Sequence, residues 1–466
     1  MSVLVLLLAL GLLMLIAYRG YSVILFAPVC AMLAVFLTDP MLVPPAYTNV
    51  FMEKLAGFAK LYLPVFILGA VFGKVIELSG FSKSIVSSVI KIVGAERAIL
   101  SIVVVCAILT YGGVSLFVVV FAVYPFAAEM FRQVDIPKRL IPGTIALGAF
   151  TFTMDSLPGT PQIQNIIPTT FFKTTTWAAP WLGVVGALFI LVVGISYLEL
   201  RRRQAKTAGE GYATNLPRLE NEPEPFAHEK LPHPLLAISP LIIVFVLNKI
   251  FTDLIPGAYG STYSFVLHEG APAMTIEVAK VVAIWAVEGA LLLGVIATVC
   301  FAFKPIKNTF AMGSKLAVAG ALLATLNTAS EYGFGGVVAG LPGFSYVASV
   351  LQAIPNPLIN EAITVSVLAG ITGSASGGMS IALAAMANTF IQNAQASGIP
   401  LEVLHRVASM ASGGMDTLPH NGAVITLLAV TGLTHRDSYR DIFAITIIKT
   451  MAVFVVIAFF YLTGIY

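Results

Sequence analysis

Two short segments carry the clearest chemical signal in the chain. Met154-Asp155-Ser156-Leu157-Pro158 and Met415-Asp416-Thr417-Leu418-Pro419 each set a carboxylate and a hydroxyl beside a proline. Proline removes a backbone donor and interrupts a helical ladder, and Gly159 and Gly422 then leave room to turn. Each segment predicts a helix unwound part-way along. Its exposed amides, and the positive end of the next half-helix, can receive an anion. The polar neighbours are Thr160, Gln162, Gln164 and Asn165 in the first segment, His420 and Asn421 in the second. Neither stretch holds Arg or Lys, so a small carboxylate bearing hydroxyl groups suits them.

Asp155 and Asp416 stand inside apolar surroundings. An ionised carboxylate at such a place is costly, so it is paired, or it takes up and releases a proton. His420 could do the same near neutral pH. Helix capping, with the carboxylate accepting backbone amides, is the plainer alternative and is compatible with it. Glu331, in Asn327-Thr328-Ala329-Ser330-Glu331-Tyr332-Gly333, is a third buried candidate without a counterpart in the first half of the chain.

Two further stretches, 112–131 and 373–395, open with Gly and Ser, run apolar and return to polar residues. They begin Gly112-Gly113-Val114-Ser115 and Thr372-Gly373-Ser374-Ala375-Ser376-Gly377-Gly378-Met379-Ser380. Small polar residues at membrane depth are tolerated where protein or a cavity covers the backbone, which favours re-entrant hairpins. Close helix packing through small residues is the alternative.

The elements that must hold these residues are membrane helices. Of 466 residues, 58% are hydrophobic and only 11% charged, and the mean hydropathy is +0.93. A soluble domain has about a quarter of its residues charged, so lipid must solvate most of this surface. Apolar runs of about 17 to 25 residues suffice to cross a bilayer. They fall near 2–18, 22–38, 61–78, 97–111, 139–153, 178–199, 235–255, 279–303, 313–330, 357–371, 401–415 and 442–464. Residues 82–94 and 343–354 are amphipathic and suit helices lying on the membrane surface. Met1 to Tyr18 lacks a basic start and a cleavage site, and reads as a retained helix. Cys30, Cys106 and Cys300 are too dispersed for a disulfide framework or a metal site.

Residues 201–233 start with Arg201-Arg202-Arg203, continue with Glu220, Glu222 and Glu224 among prolines, and form a cytoplasmic linker by composition and charge. It divides the chain into a first repeat, 1–200, and a second, 234–466. The hairpin stretches, Ile136-Pro137 with Ile399-Pro400, and the two Met-Asp segments recur at separations of 265, 263 and 261 residues. Gly80-Phe81-Ser82 and Gly343-Phe344-Ser345 are a weaker echo. The broken helices fall at about 139–173 and 401–433. A duplicated membrane protein with a polar break in each half is the signature of a secondary transporter. Twelve crossings would make the halves parallel, whereas the positive-inside rule, applied to the basic loops at Lys304–Lys307 and His435–Arg440, favours an odd number between Lys307 and the second polar break. A net charge of +3 does not suggest nucleic acid as a partner. Walker, His-Glu-x-x-His and Gly-x-Ser-x-Gly patterns are missing, so neither an enzyme nor an ATP-driven pump is indicated and no cofactor is implied.

The order of hairpin, Pro-containing break, linker, Gly-Ser hairpin and second break resembles the gluconate permease (GntP) family over essentially the whole chain. Thr372 to Ser380 and Leu418-Pro419-His420-Asn421 are its most specific parts. The resemblance implies an all-α polytopic protein of about 11–13 transmembrane helices in two inverted repeats, built as a scaffold and a transport domain that moves like an elevator. It also implies a homodimer in the bacterial inner membrane and proton-coupled import of a hydroxy acid. Gly112-Gly113-Val114-Ser115-Leu116-Phe117 and Asp155-Ser156-Leu157-Pro158-Gly159-Thr160-Pro161 depart from the gluconate branch, and the chain is more similar to its D-beta-hydroxybutyrate permease-like members. Expected substrate contacts are Gly112, Gly113, Ser115, Ser156, Thr160, Gln164, Asn165, Ser374, Ser376, Gly377, Gly378, Ser380, Thr417, His420 and Asn421. Asp155, Asp416, His420 and Glu331 are the expected proton carriers. A sodium-coupled or exchange carrier of citrate-like or dicarboxylate anions, and a passive anion channel, are the alternatives.

Overall fold

The computed structural model describes residues 2–19, 21–114, 116–214, 222, 231–268, 270, 272–344, 346, 354–419 and 421–466. Helices dominate. The first half runs α1 (Ser2–Tyr18), α2 (Val23–Thr38), α3 (Glu53–Leu78), α4 (Phe81–Val93), α5 (Ala98–Tyr111), α6 (Leu116–Gln133), α7 (Ile141–Ala149), α8 (Ile163–Phe172) and α9 (Pro180–Thr207). The second runs α10 (Pro234–Tyr259), α11 (Val278–Phe301), α12 (Phe310–Ala339), α13 (Pro357–Thr372), α14 (Ala375–Ala396), α15 (Leu401–Ser412), α16 (Gly422–Thr431) and α17 (His435–Thr463). Pro40–Leu78, α9, α10, α11, α12 and α17 are long and apolar enough to cross a membrane. The protein is a multi-pass membrane protein.

Local chemistry explains the boundaries. Asn356 accepts the amides of Leu358 and Ile359, so α13 begins with its free donors satisfied and Pro357 in its first turn. A reciprocal Thr434–Asp437 capping box opens α17. Helix α4 follows Gly80, whose φ of +75° disfavours a side chain, and buries Phe81, Ile85, Val86 and Val89 along one face.

Packing forms two apolar clusters. The larger joins α3 to α11 with α13 to α17. The smaller joins α1 and α2 to Phe51, Ile381 and one face of α12, through Leu6, Leu13, Cys30, Phe334 and Val338. Helices α3 and α12 lie against each other along their length. Helix α2 packs on α12 and α11 on α3; α9 packs on α17.

Three features depart from the sequence reading. Thr262–Phe265 and Met274–Glu277 form an antiparallel ribbon with Tyr263 opposite Ile276, so the chain is not wholly helical. Thr, Tyr, Phe and Ile favour a pleated backbone, and this stretch lies between the apolar runs. The triple arginine is helical, because α9 continues to Thr207. Glu199–Arg202 and Arg201–Gln204 contacts one turn apart support it, and Arg201 pairs with Asp441 at 2.8 Å. Thirdly, the Gly-rich stretches are turns between helices that pack together, α5 with α6 and α13 with α14. The apolar runs 97–111 and 357–371 are the first arms of these pairs. Most of 343–354, Ser345 included, lies outside the described residues.

Candidate functional site

Both Met-Asp segments interrupt helices. After α7 the backbone leaves the helix at Phe150 and Thr151, makes one turn at Phe152–Asp155, and restarts at α8 beyond Pro161. After α15 it is non-helical from Gly413 to Pro419, and Asn421 caps α16. Backbone groups freed in a buried place need partners, and side chains from the other half supply them. Arg406 Nη1 donates to Asp155 O at 3.0 Å, Ser409 Oγ donates to the same oxygen at 2.8 Å, and Lys449 Nζ donates to Phe150 O at 3.3 Å.

The two breaks touch. The Asp155 carboxylate accepts Ser156 Oγ at 2.7 Å and lies against Gly413, where a Cβ would collide with Oδ2. Lys449 ion-pairs with Asp416 while holding Phe150, and so ties one break to the other. Thr417 Oγ1 and Thr446 Oγ1 share a hydrogen bond at 2.6 Å, and Tyr439 donates to Thr417 O at 3.2 Å.

Asn165 is the hub on the first side. Its Nδ2 donates to Thr160 O at 3.0 Å and Thr176 O at 2.9 Å. Its Oδ1 lies 3.0 Å from Arg406 Nη1 and 3.1 Å from His405 Nε2, and His405 Nδ1 is 2.6 Å from Thr174 Oγ1. Arg406 also gives Nε and Nη2 to Ala178 O at 3.2 and 2.7 Å. Thr160 donates to Thr153 O at 2.8 Å. The expectation of breaks without a cation is therefore corrected. Arg406 and Lys449 lie outside the Met-Asp segments, on α15 and α17, and packing of those helices brings them to the first break.

Each break also clasps the helix pair of its own half. Gln162, the N-cap of α8, gives Nε2 to Thr110 O at 2.7 Å, at the end of α5. Asn421, the N-cap of α16, gives Nδ2 to Gly373 O at 2.7 Å, at the end of α13, while Oδ1 accepts the Val424 amide at 2.8 Å. At the first turn Gly112 lies 2.5 Å from Leu241 by its would-be Cβ, and Gly113 has φ +94° beside Pro161.

The remaining expected residues gather elsewhere, where α14 crosses α12. Ser374 caps α14 through the Gly377 amide at 3.1 Å and hydrogen-bonds Glu331. Gly377 lies directly against the Glu331 carboxylate, whose Oε2 has no partner. Ser376 and Thr328 hydroxyls are 3.2 Å apart, Gly378 packs on Ala369, and buried Ser380 Oγ is unpartnered. The structure thus divides the expected set into a group at the breaks and a group at α12–α14. Gln164 is buried with Oε1 unpartnered. Ser115 and His420 lie outside the described residues. The sequence reading missed His405, Arg406, Ser409, Lys449 and Glu361, which is fully buried with both carboxyl oxygens unpartnered. The signal available was a titratable residue isolated within an apolar run.

Broken helices meeting face to face, polar helix turns docked on them and a lipid-compatible exterior define a multi-pass membrane transporter. No protein-family model matches the chain. It is 57% identical over 470 residues, covering 100% of both chains, to the protein named "Uncharacterized transporter YxjC" of Bacillus subtilis (strain 168). The chain belongs to the same transporter family as that protein. Among solved structures it shares its fold with the YdaH transporter of Alcanivorax borkumensis, with a TM-score of 0.50 and 13% identity over 89% of this chain and 88% of that one.

Proposed function

We infer that the protein is a secondary active carrier that couples inward proton flow to uptake of a short hydroxy-monocarboxylate, 3-hydroxybutyrate-like, across the bacterial inner membrane. A gluconate-like sugar acid is the next substrate class. The observation that carries this reading is the contact of the two breaks, with Asp155 against Gly413 and Lys449 bridging Phe150 to Asp416.

The element order supports inverted repeats. With the α5–α6 and α13–α14 pairs counted as re-entrant, each half has five crossings: α1, α2, α3, α7–α8 and α9, then α10, α11, α12, α15–α16 and α17. An odd number per half reverses the second half and agrees with the basic loops. In an elevator reading, α1–α3 and α10–α12 are the scaffold. The hairpins, broken helices, α9 and α17 then form the moving body, and a homodimer would join through the scaffold.

The buried cations bear on the substrate. Arg406 is occupied by two backbone carbonyls and Asn165, and Lys449 by Asp416 and Phe150. A second substrate carboxylate would have to displace one of them, which favours a monoanion over citrate-like or dicarboxylate anions. Asp416 has its charge partner already. Glu331, with an unpartnered oxygen against Gly377, and Glu361 are therefore the places where a travelling proton gains most, ahead of Asp155 and Asp416. In proteoliposomes, labelled 3-hydroxybutyrate should accumulate against its gradient when an inward proton gradient is imposed. Accumulation that needs sodium and ignores pH would replace the coupling ion. Flux that never concentrates the substrate would make the protein a channel.

A further inference from the structure

The face of the first break turned toward α10 holds polar atoms that the network above leaves unused. Pro158 O accepts from Tyr111 at 2.7 Å and Gly159 O accepts Asn248 Nδ2 at 3.0 Å. Gly159, with φ +77°, presses flat on the Trp177 indole, so that a Cβ would lie 2.5 Å from Cζ2 and 2.9 Å from Cε2. Phe245 packs edge-on to the same indole at 5.4 Å between ring centres, and Lys249 Nζ lies 5.7 Å from the indole centroid. Two atoms around this glycine have no partner: Trp177 Nε1, a donor only, and Asn248 Oδ1, an acceptor only. Asn248 is 1% exposed.

A buried donor and a buried acceptor beside one residue, not bonded to each other, are complementary to a group that accepts once and donates once. A hydroxyl does this; a methylene does not. Thr176, fully buried, stands in the chain between this place and an open cavity. Its Oγ1 is 3.5 Å from Asn248 Nδ2, and its neighbours Thr174 and Thr175 line a cavity of about 320 Å³ together with Lys173, Pro256, Ser261 and Val278. Pro256 lies two helical turns beyond Asn248 on α10. The cavity is large enough for a molecule of six or seven heavy atoms, and it carries the ammonium of Lys173, paired at rest with Glu277 at 3.3 Å.

We propose that Trp177 Nε1 and Asn248 Oδ1 form the subsite that reads the hydroxyl of a small hydroxylated carboxylate entering past Lys173. This rests on the transport reading above, but not on its choice of a monocarboxylate. Leaving both atoms unpaired against an analogue without the hydroxyl should cost at least about tenfold in apparent affinity.

The test is competition for uptake in proteoliposomes with matched pairs: 3-hydroxybutyrate against butyrate, lactate against propionate, malate against succinate. The wild type should favour the hydroxylated member of the pair it transports by about tenfold or more. Trp177→Phe removes the N–H together with part of the indole that packs on Gly159. Asn248→Leu removes the acceptor. Each should bring the preference to within about threefold by raising KM for the hydroxylated acid more than for the plain one. A general packing defect would lower both members alike and leave the ratio intact. An unchanged ratio in both variants, or a wild type indifferent to the hydroxyl in every pair, overturns the proposal. A ratio that collapses for malate and succinate alone sustains the subsite and refutes the monocarboxylate reading.

Discussion

The contact between the two breaks and the crossing of α12 with α14 are both buried and polar, yet they are built oppositely. At the breaks Arg406, Asn165, Ser409 and Lys449 have converging hydrogen bonds, and freed carbonyls such as Asp155 O and Phe150 O are occupied. At the crossing, Glu331 Oε2 and Ser380 Oγ are buried without partners. A satisfied buried network fixes one geometry, whereas unsatisfied polar atoms are expensive unless a further state or ligand satisfies them. On the proposed transport reading the first region is the frame and the second is where a proton or ligand would find partners.

The contrast breaks most sharply at Arg406. Arg406→Leu removes both side-chain donors from the Ala178 carbonyl and leaves Asp155 O to Ser409 and Asn165 Oδ1 to His405 alone, and should abolish stable protein in a detergent melting assay. Full retention of folded protein would show that the network is not a frame. Lys449→Met leaves the partly exposed Asp416 without its charge partner and should cost less than the roughly 3–5 kcal/mol of a fully buried pair. Adding Asp416→Asn should recover much of the lost melting temperature, because the pair would then be removed together.

Glu331→Gln should sharpen the comparison from the other side. Its melting temperature should stay near wild type, within about 1 kcal/mol, while accumulation of labelled substrate no longer responds to an imposed pH gradient. A variant still driven by the gradient would assign the proton elsewhere, Glu361 next.

The weakest effect is expected outside the membrane-spanning part. Glu210 beyond α9 takes two hydrogen bonds from Arg139, at 2.6 and 2.7 Å, and these hold its carboxyl below the usual range. A lowered carboxyl stabilises the fold above its ordinary value, about pH 4.3, and that stability is lost as pH falls through the lower one. Arg139→Ala should therefore lower the melting temperature slightly near neutral pH, and the decline in acid should become shallower. Equal slopes would contradict it.

What could be read from the chain alone follows the same division. Proline and glycine act locally, so Pro158, Gly159 and Pro419 announced both breaks. The Gly-Ser turns were equally visible, and their apolar arms, 97–111 and 357–371, have the composition of crossings. Partners from distant helices left no local mark: Lys449 reads as an oddity in an apolar helix until folding sets it between Phe150 and Asp416. Asn248 and Trp177 were invisible for the same reason, since their role depends on Gly159, 89 residues before Asn248.

The meeting of the breaks is tested most directly by a double-mutant cycle on Asp155 and Gly413. Gly413→Ala places a methyl where Asp155 Oδ2 lies, and should lower the melting temperature markedly. Asp155→Ala in the same molecule should restore most of the loss, giving a coupling of about 1–3 kcal/mol. Strictly additive effects of the two substitutions would mean that the breaks do not touch.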